Sequence, residues 1–95
     1  MSNLKVVQLL PELNIGGVER GTKDFSKALV ENGHTSIVIS NGGIFEKDII
    51  QNGGKHIKLP VHKKSLFSFF LATKLKLIYE QEKPDIVHVR SRMPA

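Results

Sequence analysis

Four short runs of apolar, often β-branched residues are separated by three longer stretches in which apolar residues recur at helical spacing. That alternation restricts the fold more than any other feature of the chain. Leu4 to Leu10 is mostly apolar and stops at Pro11, which gives it the length and flanks of a strand covered on both faces. Glu12 to Gly17 is a loop by its glycines. From Val18 to Asn32 the period is helical, with Val18, Gly21, Phe25, Ala28 and Leu29 on one stripe and Lys23, Lys27 and Glu31 away from it. Asn32-Gly33 stops that helix, because glycine takes the left-handed conformation at little cost. Thr35 to Ser40 is the second strand, closed by Asn41-Gly42-Gly43. Ile44 to Gln51 reads as a short second helix, with Asn52-Gly53-Gly54 as its stop. His56-Ile57-Lys58-Leu59 alternates polar and apolar before Pro60, the mark of a half-exposed edge strand. A third helix runs from about Ser65 to Gln81 with the stripe Phe67, Phe70, Leu71, Leu75 and Ile78. Pro84 bars its continuation, and Asp85 to Arg90 is the fourth strand.

Strands alternating with helices build βαβ units on a parallel sheet, and right-handed crossovers leave few topologies. The expected fold is therefore α/β: the first half of a Rossmann-like open parallel sheet, β-α-β-α-β-α-β, with strand order 3-2-1-4. Residues 1–95 form a single partial domain in this reading. The order sends the alternating strand to one edge and places the switch point between the first and fourth strands. Ligands of open α/β sheets bind there, beyond the carboxyl ends of the strands. Two segments reach that place: the loop at Asn14–Gly17, and His88 to Arg92. The chain has no cysteine, which excludes disulfides and thiolate metal sites. Its opening residues lack signal-peptide features, and no apolar stretch approaches the roughly 18 residues of a membrane span. The expectation is a cytoplasmic protein.

Gly16-Gly17 lies between the first strand and the first helix. Glycines there admit a ligand close to the backbone, and the following helix start offers unpaired N–H groups to a phosphate. Equally, the pair suits a tight strand-to-helix turn. Two familiar phosphate loops are excluded. The dinucleotide fingerprint G-x-G-x-x-G is replaced by Gly16-Gly17-x-x-x-Gly21, and the second strand ends Ile39-Ser40-Asn41 with no carboxylate for a ribose. Gly21-Thr22-Lys23 sits too far into the helix, and in the wrong order, for a P-loop.

Leu9 to Gly21 resembles the opening strand and glycine loop of family 4 glycosyltransferases, retaining enzymes of the GT-B fold. Asn32-Gly33-His34, Gly53-Gly54 and Pro84-Asp85-Ile86-Val87-His88 follow in that family's order, so the resemblance spans the chain. It implies an acceptor-side first domain facing a second domain that binds most of a nucleotide-sugar donor, with the sugar passing to a glycan, lipid-linked or lipopolysaccharide-type acceptor. The donor is a substrate, and no cofactor is implied. Gly16 and Gly17 would then face the donor diphosphate. Arg20 is either an added phosphate contact or a solvated first-turn arginine. Glu19 suits the helix start electrostatically and needs no further role. His88, Arg90 and Arg92 would hold an anionic acceptor through charge-assisted hydrogen bonds, although His88 also suits an interior, hydrogen-bonded histidine. The family's later histidine motif and donor domain do not occur in these residues. No catalytic residue is assigned, and the isolated chain is expected not to turn over substrate.

The net charge is +5, and no acidic residue stands between Asp48 and Glu80, where Lys55, Lys58, Lys63, Lys64, Lys74 and Lys76 lie with His56 and His62. Such a stretch attracts anions or is simply a solvated face. The helix at 65–81 has Leu66, Phe69 and Leu77 off its core stripe. They serve either a peripheral membrane contact, at the inner face of the membrane, or packing against further protein. An open fourth-strand edge invites self-association and marginal stability. A small non-catalytic module binding phosphate or a lipid headgroup is the alternative function. Nucleic acid is not expected as a partner, for want of an RNA-binding aromatic motif or a helix-turn-helix. His34, His56 and His62 receive no site assignment.

Overall fold

The computed structural model of the chain describes residues 3–10, 17–59 and 70–89. Along them run β1 (Lys5–Leu9), α1 (Gly17–Glu31), β2 (Thr35–Ser40), α2 (Glu46–Gln51), β3 (Lys55–Lys58), α3 (Phe70–Glu82) and β4 (Ile86–Val89). All three pairings are parallel and the strand order is β3-β2-β1-β4, the open arrangement that the sequence predicts. The helix expected from Ser65 begins in residues outside those described.

Side-chain alternation splits the sheet into two unlike faces. Val7, Leu9, Ile37, Ile39 and Leu59 form one buried cluster, closed by Ile57 and by Leu75, Ile78 and Tyr79 of α3. The opposite face joins Leu10 and Val38 to Phe45 and Ile49 from the α2 region. Beside that cluster, most of the buried residues on the α1 side are polar: Gln8 and Ser36 on the strands and Glu19, Thr22 and Ser26 on the helix, with Val6 and Leu29 among them.

This last feature corrects the expected stripe of α1. Phe25 is 39% exposed and Ala28 is exposed, whereas Glu19, Thr22, Ser26 and Leu29 are buried. Pairing across the interface explains the rotation. Ser26 Oγ and Ser36 Oγ share a hydrogen bond of 2.6 Å, and Gln8 Nε2 donates to the Thr22 carbonyl at 3.3 Å. Hydroxyl and amide groups with partners are buried without the penalty that their polarity alone would suggest.

Both α1 and α2 end where glycine is required. Gly33 (φ 82°) and Gly53 (φ 95°) each close a helix with paired bonds back to the last turn: His34 N–H to Leu29 O, and Gly54 N–H to Ile49 O. At Gly53 a Cβ would meet Val30 Cγ1 at 2.8 Å, so packing as well as backbone excludes a side chain. Lys83 ends α3 with φ 48°, just before Pro84. The amino edge of the sheet is tied by charge. Asp85 Oδ2 accepts the Lys5 N–H at 2.8 Å, and Glu82 pairs with Lys55 at 2.6 Å and Lys5 at 3.4 Å.

Candidate functional site

A parallel sheet puts the carboxyl ends of all its strands along one edge, and the first turn of each following helix rises from that edge. Because β1 lies between β2 and β4, the start of α1 stands where the connections diverge to opposite sides. Gly17 is the first residue of α1, one position earlier than expected, and it is exposed. A Cβ built there meets nothing within 4 Å, and its φ is not in the left-handed region. Among the described residues, then, neither packing nor backbone conformation demands glycine at this position, unlike at Gly53. What the glycine secures is bare backbone at a helix start. Arg20 is exposed in the same turn, while Glu19 beside it is 6% exposed and turned inward.

On the other side of the switch point, His88 pairs in register with Gln8 and so lies on the α1 face of β4. It is exposed, not interior, and makes no hydrogen bond or ion pair among the described residues. Gly16, Arg90 and Arg92 lie outside the described residues. The structure thus sets Gly17 and Arg20 in the first turn of α1, which follows β1, and His88 near the carboxyl end of β4, on the two sides of the switch.

The three remaining histidines separate clearly. His34 Nδ1 accepts the Leu4 N–H at 3.1 Å and anchors the start of β1. His62 is outside the described residues. His56 carries an arrangement that the sequence reading passed over. Its side chain is 2% exposed, with Nδ1 2.9 Å from Glu46 Oε1 and Nε2 2.7 Å from Ser40 Oγ. Ser40 Oγ in turn accepts the Gly42 N–H at 2.9 Å. A carboxylate only accepts, so the ring proton sits on Nδ1, and Nε2 takes the Ser40 O–H. Burial pushes the imidazole below its ordinary 6.5, against the pull of Glu46 and with the help of Lys58. The contact with Glu46 is accordingly a hydrogen bond from a neutral ring. Ser40 is fully buried, so the serine–histidine–glutamate series is no nucleophile and holds structure instead. The signal was in plain view: a polar residue on a short strand, one step diagonally from a serine that ends its neighbour.

The fold is an open, Rossmann-like α/β unit whose switch point lies at the junction of β1 and β4. Residues 15–95 match Glycosyltransferase Family 4, and the chain belongs to that family. It is also similar to a glycosyltransferase from Rickettsia africae ESF-5 of known crystal structure. The similarity has a TM-score of 0.73 and 32% identity, over 98% of this chain and 25% of that one. The chain thus spans about a quarter of that glycosyltransferase's length. No curated protein sequence matches it.

Proposed function

We propose that the chain is the acceptor-side part of a nucleotide-sugar-dependent glycosyltransferase of the GT-B kind, which transfers a sugar to a glycan, lipid-linked or lipopolysaccharide-type acceptor. In this reading Gly16 and Gly17 present backbone N–H groups to the donor diphosphate and Arg20 adds charge. His88, Arg90 and Arg92 hold an anionic group of the acceptor. The observation that carries the reading is Gly17: an exposed glycine that no contact among the described residues requires, opening a 15-residue helix at the switch point. Helix starts bind anions through their free N–H groups and dipole. Exposed Leu77, with exposed Lys74 and Lys76 on α3, supports a peripheral membrane contact in the cytoplasm. Ile86, Val87 and Val89, all exposed on β4, support contact with further protein or a second copy along that strand.

Amide shifts of the 95-residue chain, followed by NMR during titration with UDP-glucose, glucose 6-phosphate and a DNA duplex, test the reading. Shifts centred on Gly17 to Arg20 and on His88 are expected with the sugar phosphates, at an affinity of about 1 mM. Gly17→Val has open space for its side chain, so it should leave the fold intact and weaken binding about tenfold, or about 1.4 kcal/mol. Uniform, salt-sensitive binding to DNA without any response to the other two ligands would overturn the proposal.

A further inference from the structure

Dinucleotide-binding sheets carry a carboxylate at the end of the second strand, where it accepts the hydroxyls of a ribose; here Ser40 and Asn41 stand in that place. The fold returns a carboxylate to the same corner by another route. Glu46, the first residue of α2, lies with Oε1 2.9 Å from Nδ1 of His56 in β3. Its Oε2 lies on the side of the 41–43 loop, 3.6 Å from the Cβ position of Gly42. Because β2 adjoins β1, this corner neighbours the edge from which α1 rises.

The carboxylate is oriented from behind. His56 is 2% exposed and takes the Ser40 O–H on Nε2 at 2.7 Å, while Ser40 Oγ accepts the Gly42 N–H at 2.9 Å. The ring is neutral, so the pair keeps the full negative charge of Glu46. A tie between β3 and α2 needs one carboxylate oxygen, and Oε1 supplies it. Oε2 makes no hydrogen bond or ion pair among the described residues, and the Glu46 side chain is 36% exposed. Gly43 and Ile44 beside it are exposed, so a ligand at the carboxyl edge meets the loop and the carboxylate together. No group of three or more metal-ligating side chains gathers among the described residues, which suits the corner to a hydroxyl donor rather than a metal ion. A charged acceptor that is already oriented makes short, strong bonds to hydroxyls and costs little ordering.

We propose that Glu46, positioned by His56, binds a vicinal diol at the carboxyl end of β2, one hydroxyl donating to Oε2 and its neighbour to the second lone pair of Oε1. The ribose of a nucleotide and the ring of a hexose both carry such a diol. The glycosyltransferase reading supplies the reason for a ligand of this class at the edge, whereas the contact itself needs no phosphate.

NMR titrations of the 95-residue chain with three phosphate-free ligands test it: uridine, methyl α-glucopyranoside and 2′,3′-dideoxyuridine. Uridine or the glucoside should move the Gly42, Gly43 and Glu46 amides and the His56 ring carbons, with a Kd of about 10 mM. Whichever of the two does so names the source of the diol, and dideoxyuridine should move none of these signals. In Glu46→Gln the amide oxygen still accepts from His56, so the fold should persist while affinity falls about tenfold, the size of one charge-assisted hydrogen bond. Silence of these signals with both diols in the wild-type chain, or an equal response to uridine and dideoxyuridine without one to the glucoside, would overturn the diol site, whatever the variant does. Shifts at Gly17 to Arg20 with UDP-glucose, together with that silence, would leave the glycosyltransferase reading standing alone. Diol shifts at Gly42 to Glu46 with no response of Gly17 to Arg20 to UDP-glucose would keep the diol site and sink that reading.

Discussion

The two faces of the sheet are buried to a similar depth and held by different means. On the α3 face the interior is aliphatic: Val7, Leu9, Ile37 and Ile39 meet Leu75, Ile78 and Tyr79, and charge appears only at the rim, in Glu82 with Lys5 and Lys55. On the α1 and α2 face, beside the cluster of Leu10, Val38, Phe45 and Ile49, serines, a glutamine and a histidine have buried side chains that are hydrogen-bonded to side chains or backbone across the interface. Burial of apolar area is non-directional, so the first face tolerates small adjustments of α3. Hydrogen bonds are directional, so the second fixes where α1, α2 and the 41–43 loop sit. The carboxyl edge that carries the candidate site is built on the second kind of face, where position matters more than adhesion.

Truncation should show the difference most strongly on the aliphatic face. Ile39 is fully buried at the centre of its cluster, and Ile39→Ala leaves a cavity that the neighbouring strands cannot close. The expected loss is about 2–5 kcal/mol, measured by urea denaturation. A loss under about 1 kcal/mol would mean that the α3 face is loosely packed, and the contrast between faces would fail.

On the polar face the same kind of truncation has another meaning. Ser36→Ala removes little volume but leaves the Ser26 hydroxyl buried without its 2.6 Å partner, and should destabilise by about 1–3 kcal/mol. Removing both hydroxyls in Ser26→Ala/Ser36→Ala should recover much of that loss, because no polar group is then stranded. Strict additivity of the two single changes would show that the pair is not a unit.

These differences also explain what could be read from the sequence. The strand order followed from the alternation of strands with helices and the right-handed crossover, with the pattern of His56 to Leu59 before Pro60 agreeing with an edge position, and the glycine stops at Gly33 and Gly53 followed from backbone chemistry. The orientation of α1 did not follow. A hydrophobic stripe through Phe25 and Ala28 is the natural choice until Ser36, ten residues past Ser26, is known to face it. His56 was set among solvent-facing residues because an edge strand ordinarily has one wet face, yet α2 covers that face and supplies Glu46. Non-local pairing of polar groups leaves no period in the chain. The position of Gly17 was legible within one residue, whereas its freedom from steric demand needed three dimensions.

The smallest expected effect lies at the rim of the aliphatic face. Lys55, hydrogen-bonded to Glu82 at 2.6 Å, and then Lys5 hold the Glu82 carboxyl below its ordinary 4.5, despite an opposing push from burial. A carboxyl with a depressed value in the folded state adds stability that is fully present above the unfolded value and is lost as pH falls through the folded one. The Lys55 side chain is 57% exposed, so solvent screens the pair and its worth stays under about 1 kcal/mol. Glu82→Gln should therefore lower stability slightly at pH 7, and the two curves should converge as the solution is acidified below 4.5. A constant gap across that range would move the role of Glu82 from charge to shape, and leave packing alone to hold α3 to the sheet.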